Sequence, residues 1–236
     1  MLSPAQPFSR IRRVALLVGL LAVPLAVFTS IASNPSQTVQ LRSTDIIHRP
    51  ISRPYTGDLS VFEDPKRDKK LQVNRVMDLL GIRTGSAVAD IGAGSGWFSV
   101  RAARRVGTSG RVYAVDINPS YVDYIRDCAQ KEKLPNIRII LSKSDDPLLP
   151  TNSVDAVLLM KTYHEVAQPI VLLRHVRAAM RPGAHLGIID RNGRGDDHGV
   201  NRDVVMDEVK RAGFVLTADY DFVKPDGADY FLIFKP

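Results

Sequence analysis

The sequence predicts an α/β fold, a doubly wound and mostly parallel sheet of seven strands that finishes in an antiparallel β-hairpin. Three observations predict it. Short apolar runs alternate with amphipathic helical segments, as a parallel sheet with crossover helices requires. The first run leads into three closely spaced glycines and a helix start, within residues 88–100. The last two apolar runs are joined by Lys224-Pro-Asp-Gly227, a sequence typical of a tight turn.

The individual elements follow from hydrophobic periodicity. Apolar residues at helical spacing predict one amphipathic helix over residues 69–80, and Gly81 follows its end. Apolar runs predict strands at 87–91, 111–116, 137–141, 154–160, 185–190, 214–222 and 230–234. Helical patterns between them predict helices at 97–106, 119–131, 169–180 and 204–212. Asn118, before a proline at the first helical position, is the expected cap of the second of these.

Residues 1–32 predict a targeting or anchoring segment. Arg10, Arg12 and Arg13 precede an apolar run at 14–28, and small residues follow up to Ala32. This layout is typical of a secretory signal peptide cleaved after Ala32. An uncleaved membrane anchor and an organelle transit peptide remain open as alternatives. We therefore expect a protein that is exported or membrane-anchored, with organelle import as the third interpretation.

The remainder divides into an irregular arm at residues 33–65 and a globular domain at 66–236. Prolines interrupt the arm, and its apolar residues either pack on the domain or cover the site as a lid. The net charge of +7 is concentrated before residue 45, which leaves 28 basic and 25 acidic residues in the rest. A nearly balanced domain gives no indication of nucleic-acid binding. The single cysteine, Cys128, excludes an intrachain disulfide.

The glycine-rich turn is the most informative motif. Gly92, Gly94 and Gly96 allow the backbone to turn tightly and a ligand to lie against it, and the next residues open a helix. Asp90 ends the preceding strand. The spacing is G-x-G-x-G, whereas a dinucleotide site has G-x-G-x-x-G. A carboxylate beside the turn favours a ligand with an amino group and a sulfonium over a pyrophosphate.

A second carboxylate, Asp116, ends the next strand, roughly 20 residues beyond the glycines. A carboxylate at this position can accept hydrogen bonds from both ribose hydroxyls. That holds for NAD as well as for an adenosyl ligand, so Asp116 does not distinguish them. The alternative role, a helix cap, is better filled by Asn118.

The motif at residues 88–100 resembles motif I of the class I S-adenosylmethionine-dependent methyltransferases. Three further segments resemble this family in the same order along residues 68–236: Ser142-Lys-Ser-Asp-Asp-Pro147, Leu149-Pro-Thr-Asn-Ser-Val-Asp155 and Met180-Arg-Pro-Gly-Ala-His-Leu186. Ala184 replaces the second glycine of the last family motif. The resemblance implies a Rossmann-like methyltransferase fold, in which the last strand inserts antiparallel beside the fifth, and S-adenosylmethionine as cofactor.

The same resemblance implies a set of cofactor contacts. Asp90 and the three glycines would hold the methionine end, and Asp116 the ribose. Ile117 would pack on the adenine, with Ser144 nearby, and Asp145 would accept from the adenine amine, with Asp146 as a second possibility. A solvated turn is the alternative for this acidic pair. Lys161 either touches the cofactor carboxylate or is a solvated surface residue.

His164 is the titratable group best placed for catalysis, because it follows the fourth strand at the carboxyl edge of the sheet. It is either a general base or substrate ligand, or a residue that packs on the cofactor or caps the next helix. His198 lies on a polar loop with Asp196, Asp197 and Asp203. No two of these have a rigid metal-ligand spacing, so we predict no metal site.

The closer resemblance is to an exported or membrane-tethered bacterial branch of predicted methyltransferases, through Tyr163-His164 and Ile188-Ile189-Asp190. A more distant one is to quinone-ring C-methyltransferases. We therefore expect methyl transfer to a small-molecule or lipid-like acceptor, with membrane association through the N-terminal segment. An NAD-dependent oxidoreductase and a non-catalytic cofactor-binding module are the alternatives. The sequence identifies neither the acceptor nor the oligomeric state.

Overall fold

The structure is a computed structural model of the chain, and it describes residues 42–236. The predicted targeting segment at 1–32 and the first part of the arm lie outside the described residues. Between residues 42 and 236, no helix combines the length and the apolar character needed to cross a membrane.

Seven strands and six α-helices make up the described domain. The strands are β1 (Ala87–Ile91), β2 (Arg111–Asp116), β3 (Ile137–Leu141), β4 (Val154–Met160), β5 (Met180–Arg191), β6 (Val215–Tyr220) and β7 (Asp229–Lys235). The helices are α1 (Arg67–Leu71), α2 (Val73–Leu79), α3 (Trp97–Val106), α4 (Pro119–Lys131), α5 (Pro169–Ala179) and α6 (Arg202–Arg211). Short 3₁₀ turns occur at Ser43–Asp45, Leu59–Phe62 and Tyr163–Glu165.

The strands form one sheet in the order β3-β2-β1-β4-β5-β7-β6. The first five are parallel to their neighbours, whereas β7 lies antiparallel between β5 and β6. This arrangement confirms the predicted fold class. Because the strand order reverses between β1 and β4, the carboxyl ends of these strands border the crevice in which doubly wound folds bind ligands.

Most predicted elements have the predicted bounds, and the exceptions have local causes. The single helix expected at 69–80 is wrong: Gln72 adopts a left-handed φ of 50° and separates α1 from α2. Leu71 and Val73 would lie on different sides of a continuous helix, about 200° apart. The break lets both side chains enter the core. β5 begins at Met180 rather than 185, because Met180 pairs with Val154 before an irregularity in the register.

Side chains of the strands alternate between two apolar layers. On one face, Val88, Val112 and Leu158 pack with residues of α2, α3 and α4. On the other, Val157 and Leu159 and their neighbours pack with α5 and α6. Both faces of the central strands are therefore covered, as is typical of parallel sheets.

The described part of the arm is fastened to the second layer by a buried polar network. Nε of Arg49 lies 2.9 Å from Oε1 of Glu208, on α6. The hydroxyl of Tyr163 donates to the other oxygen of Glu208 at 2.9 Å. Glu208 is thus paired with one cation and one hydroxyl inside the protein, which satisfies a carboxylate that burial would otherwise destabilise.

Candidate active site

The turn between β1 and α3 has the backbone geometry that its glycines allow. Gly92, Gly94 and Gly96 have φ values of 70°, 55° and 74°, in the left-handed region. A Cβ on Gly92 would lie 2.2 Å from Cγ2 of Thr162, whereas a Cβ on Gly94 would meet no atom within 4 Å. The open space beside Gly94 is where a ligand can approach the backbone, so this turn suits close contact with a cofactor.

Asp90 lies at the end of β1, beneath the turn. The hydroxyl of Ser99, in the first turns of α3, donates a 2.6 Å hydrogen bond to its Oδ2. Burial raises the pKa of Asp90 from 3.8 to about 6, and the negative charge of Asp116 adds to the rise. The site therefore holds a carboxylate that lacks a fully compensating cation and that a cationic ligand would stabilise.

Asp116 joins the end of β2 to the glycine turn. Its Oδ2 accepts from the amide of Gly94 at 2.9 Å, and its Oδ1 accepts from the amide of Asn118 at 2.9 Å. Asn118 caps α4 through Ser120, as predicted. Burial raises the pKa of Asp116. Ile117 follows with half of its surface exposed, 51%, and is available to pack on a flat ligand.

A cavity of about 480 Å³ lies at the carboxyl edge of the sheet, and most of the site residues described above line it. Its size falls in the range of small-molecule sites. Of the cofactor-binding residues predicted from the sequence, the following line the cavity: Asp90, Gly92, Gly94, Asp116, Ile117, Ser144 and Lys161. Gly96 forms the N-terminal cap of α3 instead, and a Cβ there would lie 3.3 Å from side-chain atoms of Ile125.

The arm supplies one wall of the cavity. Tyr55, Leu59 and Phe62 of the arm line it together with Val166 and Leu172 of the domain. The hydroxyl of Tyr121, on α4, donates to the carbonyl of Tyr55, which fastens the arm to the domain. The arm therefore packs on the domain, and its residues form part of the cavity lining.

Arg67 is a site residue that the sequence analysis missed. It lines the cavity, and its guanidinium lies 4.3 Å from the centre of the Trp97 ring. Burial lowers the pKa of Arg67, while the charge of Asp90 opposes that shift. No motif indicates Arg67, because it precedes the first strand in a charged segment whose path over the site is a tertiary feature.

Only some of the residues predicted around the adenine line the cavity. Ser144 lines the cavity together with Ser142 and Lys143. Asp145 is not among the lining residues, and its backbone carbonyl accepts from Nδ1 of His175, at 2.8 Å. Lys161 lines the cavity, but its Nζ lies 2.5 Å from Oδ2 of the buried Asp229.

His164 is buried beside the cavity rather than on its lining. Its Nδ1 lies 2.8 and 3.0 Å from the two oxygens of Asp190, at the end of β5. Because a carboxylate only accepts hydrogen bonds, Nδ1 carries the proton. The neighbouring Glu165 does line the cavity, and burial raises its pKa. Glu165, rather than His164, is therefore the residue of this pair that a ligand in the cavity can contact.

The site fits an adenosyl cofactor on two observations of its own. Open space beside Gly94 leaves room at the turn. In addition, the indole nitrogen of Trp97, a cavity residue, is buried and makes no hydrogen bond within residues 42–236. With the carboxylates at the ends of β1 and β2, these features match a ligand that is cationic at one end and carries ribose hydroxyls at its middle.

Comparisons with known proteins agree with this geometry. Residues 88–183 match the family described as "Methyltransferase domain". The ubiquinone/menaquinone biosynthesis C-methyltransferase UbiE of Hydrogenovibrio crunogenus is 29% identical over 122 residues, 51% of this chain and 48% of that protein. The aklanonic acid methyltransferase DauC of Streptomyces sp. (strain C5) is 34% identical over 95 residues, 40% of this chain and 42% of that protein. The chain matches about half the length, or less, of these curated relatives.

Solved structures share the fold. A SAM-dependent methyltransferase from Aquifex aeolicus superposes with a TM-score of 0.68 at 24% identity, covering 76% of this chain and 98% of that one. The [4+2]-cyclase SpnF gives a TM-score of 0.62 at 15% identity, covering 81% of this chain and 88% of that one.

Residues 88–183 thus match the methyltransferase domain family, and the described domain has the fold of the class I S-adenosylmethionine-dependent methyltransferases. It is distantly similar to the UbiE quinone C-methyltransferases. The predicted class and the predicted methyl donor, S-adenosylmethionine, are confirmed.

Proposed function

We propose that the protein transfers the methyl group of S-adenosylmethionine to a small, partly apolar acceptor. One observation carries the proposal: carboxylates at the ends of β1 and β2, Asp90 and Asp116, share a cavity with the glycine turn. A sulfonium with an amino group is stabilised by the first, and ribose hydroxyls can donate to the second. A dinucleotide would instead bring its pyrophosphate towards Asp90, which repels it.

Arg67 and Asp90 together suit the methionine end of the cofactor. The amino group and the sulfonium are cationic, and Asp90 is buried with a raised pKa. The methionine carboxylate needs a cation, and Arg67 lines the same cavity. Ile117 and Ser144, which line the cavity, would then contact the adenine, whereas Asp145 lies outside the lining. Lys161 contributes less, since its ammonium is paired with Asp229.

The acceptor is inferred from the residues of the cavity wall that the cofactor contacts do not use. Four of them are apolar, Leu59, Phe62, Val166 and Leu172, and Glu165 is a polar group on the same lining. Such a wall suits a ring or a lipid-like molecule with a polar substituent. The relatives named for ubiquinone/menaquinone and aklanonic acid support a small-molecule acceptor.

Methyl transfer needs little help from an acid or a base when the acceptor is already nucleophilic. The acceptor atom attacks the methyl carbon, the carbon–sulfur bond breaks, and the electron pair stays on sulfur, which gives S-adenosylhomocysteine. Holding the acceptor, the methyl carbon and the sulfur in line supplies much of the rate. In this proposal His164 acts through Glu165 rather than by touching the acceptor.

We also propose export or membrane anchoring through residues 1–32, on the strength of the basic and apolar pattern of the sequence. A lipid-like acceptor is compatible with an enzyme held at a membrane. Organelle import remains the alternative for the same segment.

The test is a calorimetric titration of the full chain with S-adenosylhomocysteine and, separately, with NAD⁺. We expect one site for S-adenosylhomocysteine and no heat for NAD⁺, and the reverse result would favour the oxidoreductase alternative. A panel of phenolic, quinol and lipid acceptors is then assayed for S-adenosylhomocysteine formation from S-adenosylmethionine. Tight cofactor binding without turnover across the panel would favour the non-catalytic module. Because SpnF is a cyclase on this fold, methyl release has to be measured directly.

A further inference from the structure

Two histidines and a glutamate that are far apart in the sequence converge beside the cavity. His164 and Glu165 belong to the turn that follows β4, and His198 lies in the loop between β5 and α6. One ligand atom from each of the three lies within 4.8 Å of the others. Nε2 of His164 is 3.8 Å from Oε1 of Glu165. The two imidazole rings are perpendicular, with their centres 5.7 Å apart.

The environment of His164 prepares its Nε2 as an electron-pair donor. Asp190 is fully buried and accepts the proton of Nδ1, and its Oδ2 also accepts from the backbone amide of His164, at 3.0 Å. With Nδ1 facing Asp190, Nε2 is the nitrogen on the side of Glu165, 3.8 Å from its Oε1, and the neutral ring presents it as an electron-pair donor there. A carboxylate behind a histidine in this way is the usual support of a metal ligand.

Ser52, a buried residue of the arm, fixes the two histidine segments relative to each other. Its amide donates to the carbonyl of His164 at 3.0 Å. Its hydroxyl accepts from the amide of His198 at 2.9 Å and donates to the carbonyl of Gly195 at 2.8 Å. His198 is held in a left-handed conformation, with φ of 53°. The loop is thereby positioned by contacts that do not use any of the three ligand atoms.

The charge of the cluster calls for a cation. Glu165 and Asp190 bring two carboxylates, and across residues 42–236 neither forms an ion pair with a lysine or an arginine. The amide of Tyr55 donates to Glu165 at 3.3 Å, which compensates its charge only in part. Two imidazole nitrogens and one carboxylate oxygen are a donor set for zinc and related first-row ions, whereas magnesium and calcium prefer oxygen ligands alone.

We propose that His164, Glu165 and His198 bind one divalent transition-metal ion of the zinc type at the edge of the cavity. Around a tetrahedral zinc ion, ligand atoms lie about 3.3 Å apart. The ligand atoms now lie within 4.8 Å of one another, and rotation of the side chains of Glu165 and the exposed His198 would bring them to that distance. Three protein ligands leave a coordination position open, and because Glu165 lines the cavity, that position is accessible to an acceptor oxygen.

The role of the ion in the reaction rests on the proposed function, methyl transfer to an acceptor in the cavity. A hydroxyl or enol oxygen of the acceptor bound to the ion loses its proton to solvent more readily, because a metal ion lowers the pKa of an oxygen ligand. The deprotonated acceptor then attacks the methyl carbon through that oxygen or an adjacent ring carbon. The ion is neither oxidised nor reduced, and S-adenosylhomocysteine leaves as before.

The test is a titration of the chelator-treated full chain with Co²⁺, followed by the visible absorption of the bound ion, with Zn²⁺ as competitor. We expect one equivalent to bind and Zn²⁺ to displace it. His198→Asn removes an exposed ligand, and asparagine tolerates the left-handed backbone, so the variant should fold. It should weaken Co²⁺ binding about 100-fold or more. His48→Gln, at an exposed histidine outside the cluster, is the matched control and should leave binding unchanged.

A second variant and a second measurement keep the outcomes distinct. Asp190→Asn should weaken Co²⁺ binding by about 10- to 100-fold, since it supports His164 without being a ligand. S-adenosylhomocysteine binding is measured on the same metal-free samples. Failure to bind Co²⁺, or equal binding by His198→Asn and wild type, overturns the metal site even when S-adenosylhomocysteine binds. Absence of S-adenosylhomocysteine binding by wild-type protein that does bind Co²⁺ overturns the proposed function instead.

Discussion

The hydroxyl of Ser99 donates a 2.6 Å hydrogen bond to Oδ2 of the buried Asp90, which joins the first turns of α3 to the end of β1. This bond lowers the pKa of Asp90, yet burial outweighs it and the pKa is raised to about 6. Asp90 is thus a charge that the ligand-free fold tolerates at a cost to stability. The relationship leads to two predictions on the same residue.

Asp90→Asn should stabilise the ligand-free protein at neutral pH. A rise of the pKa from 3.8 to about 6 corresponds to about 3 kcal/mol of destabilisation when the group is ionised. Below about pH 3 the group is protonated in both the folded and the unfolded states, so the difference disappears there, and at pH 4 only a small part of it remains. We expect Asp90→Asn to raise the free energy of unfolding by about 1–3 kcal/mol at pH 7 and by little at pH 4. Denaturant unfolding at both pH values measures this.

The matched control for that experiment is Asp127→Asn, an exposed position on α4. It should change the free energy of unfolding by less than about 0.5 kcal/mol at either pH. An equal gain in both variants would mean that the effect comes from net charge rather than from the buried site.

The affinity for S-adenosylmethionine should fall as the pH drops through about 6. Protonation of Asp90 removes the negative charge that attracts the amino group and the sulfonium, and its pKa is raised to about 6 in the ligand-free protein. We expect the dissociation constant to increase about tenfold between pH 7 and pH 5. Asp90→Asn should bind weakly at both values, with a flatter pH dependence. Equal slopes for variant and wild type would assign the titration to another group.

Gly94→Ala should block the cofactor while the fold survives. The added Cβ meets no protein atom within 4 Å and points into the space that the ligand is proposed to use. Its positive φ of 55° costs stability on the order of 1 kcal/mol. Gly183, with φ of 81° and equally open surroundings, lies away from the cavity lining, so Gly183→Ala is the matched control. Both variants should lose similar stability, and only Gly94→Ala should lose S-adenosylhomocysteine binding in calorimetry.

Arg67→Gln should weaken cofactor binding by about 10- to 100-fold, the value of one charge-assisted hydrogen bond. Arg101 provides a close control, because its guanidinium also lies over Trp97, at 4.6 Å, but pairs with Asp68 and does not line the cavity. Arg101→Gln should change the dissociation constant by less than about threefold. Comparable losses in both variants would point to packing on Trp97 rather than to a contact with the methionine carboxylate.

Residues 1–32 lead to a prediction about export and cleavage that depends on the sequence alone. Expressed with its full N-terminus, the protein should be recovered outside the cytoplasm in a form that begins at Ser33, as cleavage after Ala32 requires. Mass spectrometry of the intact protein reads the mature end directly. An uncleaved chain in the membrane fraction would identify an anchor, and an uncleaved chain in the cytoplasm would contradict both.

Prediction from the sequence succeeded where the signal is local and repeated. The bounds of β1 and α3 follow from an apolar run, three glycines and a helical stripe, all within twenty residues. Prediction failed at Gln72, because a continuous helical stripe does not reveal that burying both Leu71 and Val73 requires a break. It also missed Arg67, the first residue of α1, whose position over Trp97 depends on how α1 packs against α3.

The sequence by itself determined the strands of the sheet, the glycine turn and the strand-end carboxylates of Asp90 and Asp116, because each of these features is encoded by residues that are neighbours along the chain. The tertiary structure alone decided that His198 meets His164 and Glu165, since 32 residues lie between Glu165 and His198 and Ser52, from a third segment, holds them together. Metal-ligand spacing on a single helix or loop is readable from a sequence. A site assembled from the ends of two strands and an arm forms only when the strands assemble into the sheet, which brings those ends to one edge.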